Sequence, residues 1–214
     1  GSPSPGLRTA LAELDRVVPL YAVLPALSPQ EYRMLEPGVE PLLARARRGA
    51  GLAGCLRMGV TGVPRLAAFR HGDFAARVPL LLEAEARRLP RRGVVGIVIA
   101  SPLTDAALAG DHHRFFASLT RWVRGRFHAA AGFETRNPGL LLERLRGWGV
   151  EPDLVVGPVN PRGLGMKPRP EETLAEIAHA GSAPLVATEL RAGGLCGLEE
   201  GARYALGHGA HGVA

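Results

Sequence analysis

Four times in its second half the chain runs through an apolar stretch and then switches abruptly to polar side chains. Ser101, Thr104 and Asp105 follow the first stretch, and Glu134, Thr135, Arg136 and Asn137 the second. Asn160 and Arg162 follow the third, and Glu189 and Arg191 the fourth. These residue types suit proton transfer on a small charged molecule. A carboxylate partly withdrawn from water gains proton affinity and can act as a general acid or base. A guanidinium grips a carboxylate or phosphate through two parallel hydrogen bonds. Glu134 and Glu189 are therefore the candidate catalytic groups. Arg136, Asn137, Asn160, Arg162 and Arg191 are candidates for holding the substrate. The competing structural reading has the same charges closing ion pairs of the Glu134–Arg136 kind around a rim.

Lys167 is the only lysine among 26 basic side chains. Imine chemistry needs a lysine whose amine is deprotonated by apolar burial or by a neighbouring cation. Lys167 instead sits between "NPRGLGM" and "PRP", in a glycine- and proline-rich loop beyond the end of an apolar run. That setting predicts an exposed loop residue, either a solvated charge or a contact to an anionic substrate, rather than a covalent catalyst. The segment "ELRAGGLCGLEEG" (189–201) is the kind of loop that offers backbone N–H groups to phosphate at a helix start. Glu199 and Glu200 would repel a phosphate there. Cys196 reads as a buried thiol, and Cys55 lies too far along the chain to form a metal or redox motif with it. The adjacent His112 and His113 cannot share a helix face, so no metal site is expected.

Alternating strand and helix signals must position these groups. "GVVGIVIASPL" (93–103) reads as a buried strand stopped by Ser-Pro, and 111–126 as a helix with Phe115, Leu119, Trp122 and Val123 on one face. Residues 127–137 read as a strand that turns polar, and 138–149 as a helix with proline at its start and glycine at its end. A strand at 152–160, a helix at 169–181, a strand at 183–194, a helix at 198–209 and a strand start at 210–214 follow. In the first half, strands are expected at 16–27 and 52–62, with helices at 37–50 and 73–89. Strand-to-strand intervals of this length are those of βαβ units, which imply parallel strands.

The expected fold is thus α/β: a (β/α)8 TIM-barrel-like domain, whole or incomplete at its C-terminal end, over residues 16–214. An open doubly wound parallel sheet is the alternative. Residues 1–15 are set aside, because Gly1-Ser2 resembles an expression remnant. The composition agrees with a parallel sheet under helices, with 46% hydrophobic but only 5% aromatic residues. The net charge of +6 is spread over helix positions without an aromatic-interleaved basic stripe, so no nucleic-acid partner is expected. No apolar run is long enough to span a bilayer, so no membrane partner is expected either, and the setting reads as cytoplasmic.

Residues 94–214 resemble the second half of an aldo/keto-reductase-like barrel. The resemblance rests on "GIVIASPL", "AGFETRN", "LVVGPVNPRG" and "PLVATELRAGG" in that order. It implies NADPH as cofactor, with Asn137 and Asn160-Pro161 lining the barrel mouth. The family's Asp, Tyr, Lys and His series has no counterpart, because residues 1–166 contain no lysine.

Three functions follow. The first is a barrel enzyme of lyase or isomerase type, acting on a small polar or anionic metabolite by acid/base chemistry and requiring no cofactor or metal. The second is the NADPH-dependent oxidoreductase, and the third a non-catalytic barrel serving as partner or scaffold.

Overall fold

The computed structural model describes residues 20–25, 82, 86, 93–179 and 182–214. The chain divides into two compact units, Gly1–Ile97 and Val98–Ala214. In the first unit, β1 spans Leu20–Leu24 inside the strand expected at 16–27, with Tyr21 and Val23 exposed and Leu24 buried. Leu82 and Ala86 are helical and buried, as the helix expected at 73–89 requires. The rest of that helix lies outside the described residues, as do the helix expected at 37–50 and the strand expected at 52–62.

Strand β2, Val94–Ile99, crosses the division between the units and leads into the better described half. There follow α1 (Ser101–Ala109), α2 (His113–Phe127), β3 (Ala130–Glu134), α3 (Pro138–Trp148) and β4 (Leu154–Pro158). Then come α4 (Pro170–Ala178), β5 (Leu185–Thr188), a 3-10 turn at Ala192–Gly194, α5 (Leu198–Gly207) and β6 (Gly212–Val213). Within the second unit, β3 through β6 take sheet positions in chain order. β3, β4, β5 and β6 pair in parallel, with Glu134 opposite Val156, Pro158 opposite Thr188, and Ala187 opposite Val213. The fold is therefore α/β with a parallel sheet. Six strands are present among the described residues, short of the eight of a closed barrel.

One element differs from expectation. Ser101-Pro102 does not end a strand in a loop; it opens α1, with proline in the first helical turn. Proline serves there because its missing N–H is one of the unpaired donors of a helix start and its fixed φ suits the helix. The i, i+4 pair Leu103 and Ala107 then turns inward, and both are buried. Thr104 and Asp105 are consequently helix residues rather than loop residues.

The core forms where α2 and α3 cover β3. Phe116 is fully buried and lies 5.1 Å from the Phe133 ring, 5.2 Å from Phe115 and 5.4 Å from Trp148. This aromatic knot supplements a core otherwise made mostly of aliphatic side chains. Helix α5 approaches so closely that a Cβ on Gly201 would fall 1.9 Å from the Leu190 carbonyl oxygen, which makes glycine obligatory there. Helix α3 ends on Gly149 in the left-handed region (φ 64°), whose N–H caps the carbonyls of Leu145 and Arg146. No described helix is long and apolar enough to cross a membrane.

A clasp ties α2 to the N-terminal ends of β3 and β4. Arg124 donates from Nε and Nη2 to the Asp153 carboxylate at 3.0 and 2.9 Å, and Ala131 N–H donates to it at 2.7 Å. Burial pushes the Asp153 carboxyl up, but the hydrogen bonds from Arg124 and Ala131 and the charge of Arg124 outweigh it and hold the group below its ordinary value. A carboxylate depressed on folding adds stability that is complete above the unfolded value and is lost as pH falls through the folded one. Asp153→Asn should therefore cost about 1 kcal/mol at neutral pH, solvent screening of the half-exposed pair keeping it small. The difference from wild type should shrink below about pH 4, as measured by urea unfolding across pH.

Candidate functional site

Because β3, β4 and β5 run in one direction, the loops that follow them leave one edge of the sheet. The sequence-predicted groups lie on those loops, and the structure gives them two different duties.

The carboxylates of the first two polar clusters serve the backbone. Helix α1 begins after Ala100, which has no side-chain oxygen to cap it. Its first N–H, that of Ser101, donates instead to Glu134 Oε2 at 3.0 Å from the end of the neighbouring strand β3. A negative group is favourable at that position, where the helix presents unpaired donors. Asp105, one turn into α1, accepts the Thr135 hydroxyl at 2.5 Å and the Arg136 N–H at 3.1 Å. Thr135 Oγ1 in turn accepts the Asn137 N–H at 2.9 Å. This network joins residues 101–105 to residues 134–137 and fixes the start of α3, while the Arg136 side chain is left exposed.

Asn160 organises the next loop. It is fully buried, its Nδ2 donates to the Leu164 carbonyl at 2.8 Å, and its Oδ1 accepts N–H groups from Leu164 at 3.0 Å and Arg162 at 3.2 Å. Its amide is thus occupied by its own loop. Arg162 is exposed, and so is Lys167, whose carbonyl accepts the Thr173 hydroxyl at 3.2 Å.

After β5 the chain turns on left-handed residues: Glu189 (φ 52°), Ala192 (47°), Gly193 (69°) and Gly194 (99°). For Glu189 and Ala192 this conformation costs on the order of 1 kcal/mol each. Backbone bonds from Ala192 N–H to the Glu189 carbonyl and from Gly194 N–H to the Arg191 carbonyl, both 2.8 Å, hold the turn. The Cys196 thiol, buried as expected, donates to the Leu190 carbonyl at 3.1 Å. Glu189 and Arg191 are exposed and line an open depression of about 480 Å³ with Gly193, Gly194 and Leu198. A Cβ on Gly193 would be 3.4 Å from Leu164 Cδ2, so the β4 and β5 loops adjoin.

Four cations of this edge have no carboxylate partner, whereas Arg169, at the end of the β4 loop, pairs with Glu172 at 3.6 Å. Arg124, Arg144, Arg146 and Arg203, all on helices, meet Asp153, Asp111, Glu176 and Glu199 respectively. Among the described residues, the side chains of Arg136, Arg162, Lys167 and Arg191 enter no ion pair. Arg114 and Arg121 on α2 also lack a carboxylate, so charge alone does not mark the edge. Position marks it: the unpaired cations fall on three successive loops at the C-terminal ends of parallel strands, where such sheets place their chemistry. A smaller cleft of about 270 Å³, lined by Leu142, Arg146, Pro152 and Pro184, lies at the opposite, N-terminal ends of β4 and β5.

Sequence reasoning overlooked the exposed leucines of this edge. Leu164, Leu195 and Leu198 are 47%, 67% and 60% exposed. Their signal was present, since each is an apolar residue set among glycines in "RGLGM" and "GGLCGLEE". No protein-family model, curated protein or solved structure matches the chain.

The cap on α1 gives a direct test of the duty assigned to Glu134. Glu134→Ala should lower stability by about 1 kcal/mol, as loss of a helix cap does. Glu134→Gln should retain most of it, because an amide oxygen still accepts the Ser101 N–H. Urea unfolding of the two variants checks this.

Proposed function

We propose that the edge formed by the loops after β3, β4 and β5 binds a small anionic metabolite, and that the chain is an enzyme working on it by acid/base chemistry. The observation that carries this reading is the set of exposed, carboxylate-free cations, Arg136, Arg162, Lys167 and Arg191, on successive loops of one sheet edge. Cations so arranged attract an anion and can orient it by two-point contacts.

Glu189 is the acid/base in this reading. It shares the depression with Arg191, and its left-handed backbone is held by the turn that follows. Glu134, tied to the start of α1, supports the site by fixing the β3 loop. Asn160 and Asn137 shape the loops that present Arg162 and Arg136. The strand order of the second unit supports the barrel-like form over the doubly wound one, because β3 to β6 succeed one another without the reversal that makes a switch point.

Acid/base work on a carboxylate substrate is detectable before the full reaction is known, as exchange of a carbon-bound proton with solvent. In D2O, the protein should accelerate loss of the C3 proton signal of a 2-oxo acid or the C2 proton signal of a dicarboxylate, followed by NMR. Glu189→Gln should slow the exchange by on the order of 10²–10⁴, and Arg191→Gln should raise the concentration needed for half-maximal exchange. Equal exchange by wild type and Glu189→Gln would overturn the assignment.

A further inference from the structure

We infer that the anion taken by this site is a monocarboxylate with a short aliphatic chain; the inference rests on the proposed anion site and names its substrate class. Two observations carry it. The first is the mixture of surfaces around the depression. Arg191 stands beside Leu198, and the adjoining loop brings Leu164 against Gly193, with Arg162 two residues earlier on that loop. Leu164, Leu195 and Leu198 are each about half exposed or more, and of the other leucines on the described helices only Leu206, at the far end of α5, is comparably exposed. Leucines held in the open by glycine-rich turns gain from covering by an apolar ligand, at a rate set by the area removed from water.

The second observation is the sign balance. Glu189 lines the depression, and Glu199 and Glu200 stand in the first turn of α5 directly after Leu198. Arg203 at 2.6 Å answers Glu199; Glu200 has no ion-pair partner among the described residues. A phosphate dianion at the depression would meet the Glu189 carboxylate in its lining, with Arg191 the one cation among the lining residues. A single carboxylate matches the guanidinium in charge and in two-point geometry and leaves less repulsion uncompensated. The aliphatic part then lies over Leu198 and Leu164. The volume, about 480 Å³, falls in the range of small-molecule sites.

The test is calorimetric titration of the whole chain with acetate, butanoate, hexanoate and octanoate, beside inorganic phosphate and octanol, at fixed ionic strength. Affinity should rise about two- to fourfold for each methylene that finds apolar cover, with phosphate and octanol binding at least tenfold more weakly than octanoate. Arg191→Gln should lose about tenfold for every acid and keep the chain-length trend. Leu198→Ser should flatten the trend and keep acetate affinity, and its circular dichroism should match wild type. Sedimentation with phosphatidylserine vesicles supplies the remaining arm: the protein should stay in the supernatant, and binding to vesicles with none to free acids would overturn the proposal in favour of a lipid surface. Equal affinities for acetate and octanoate, phosphate binding as tightly as octanoate, or indifference to Arg191→Gln would each overturn it. Loss of the chain-length trend alongside Glu189-dependent proton exchange on a dicarboxylate would defeat this inference and leave the acid/base reading standing. The trend without any effect of Glu189→Gln on exchange would do the reverse.

Discussion

Parallel pairing of β3, β4, β5 and β6 is the constraint from which the rest of the described half follows. A parallel neighbour can be reached only by a crossover, so each strand must be followed by a helix that returns the chain to the starting edge. The connections then fall into two groups at opposite edges of the sheet. At one edge the clasp of Arg124, Asp153 and Ala131 secures strand starts against α2. At the other, loops of different length and composition leave Glu134, Pro158 and Thr188. Packing is concentrated between them, in the Phe115, Phe116, Phe133 and Trp148 cluster, so the loops are freed from supplying the core.

Opposite charges are used differently at the C-terminal edge of the sheet. Carboxylates there turn mainly toward backbone donors: Glu134 to the Ser101 N–H at the start of α1, and Asp105 to the Arg136 N–H as well as the Thr135 hydroxyl. Such bonds satisfy N–H groups that have no partner within their own helix or loop, which makes them worth more than an exposed ion pair. The consequence is that the guanidinium groups of Arg136, Arg162 and Arg191 are not neutralised among the described residues. A rim closed by ion pairs, the structural alternative raised by the sequence, would have consumed both signs. Here Glu134 and Asp105 fix the loops, Glu172 pairs with Arg169, and Glu189 stands toward solvent with Arg136, Arg162, Lys167 and Arg191.

Much of this was legible in the residues. The proline and glycine bracketing α3, the acidic first turn of α4 and the β-branched runs of β2 and β4 placed those elements within a few residues. The succession of polar switches also located one edge of the sheet correctly, since β3, β4 and β5 are parallel. Two things were not legible. Ser-Pro marks both the end of a strand and the first turn of a helix, and only the Leu103–Ala107 spacing favoured the second. The fate of Asn160 is a matter of loop path: the same amide would face a ligand if residues 161–164 did not fold back onto it. Sequence shows which groups could bind a substrate, whereas local backbone geometry decides which of them the protein has already used.

The central claim is that Arg136, Arg162 and Arg191 form an anion site that the helix-face arginines do not. It is tested most directly by the melting temperature in sodium hexanoate against sodium chloride at matched ionic strength. The wild-type chain should melt several degrees higher in hexanoate, as expected for a ligand that binds only the folded state. The Arg136→Gln, Arg162→Gln, Arg191→Gln triple variant should lose that difference, and Arg114→Gln with Arg121→Gln should keep it. An equal hexanoate effect in all three proteins would show that the anion acts on the surface at large and would contradict the account.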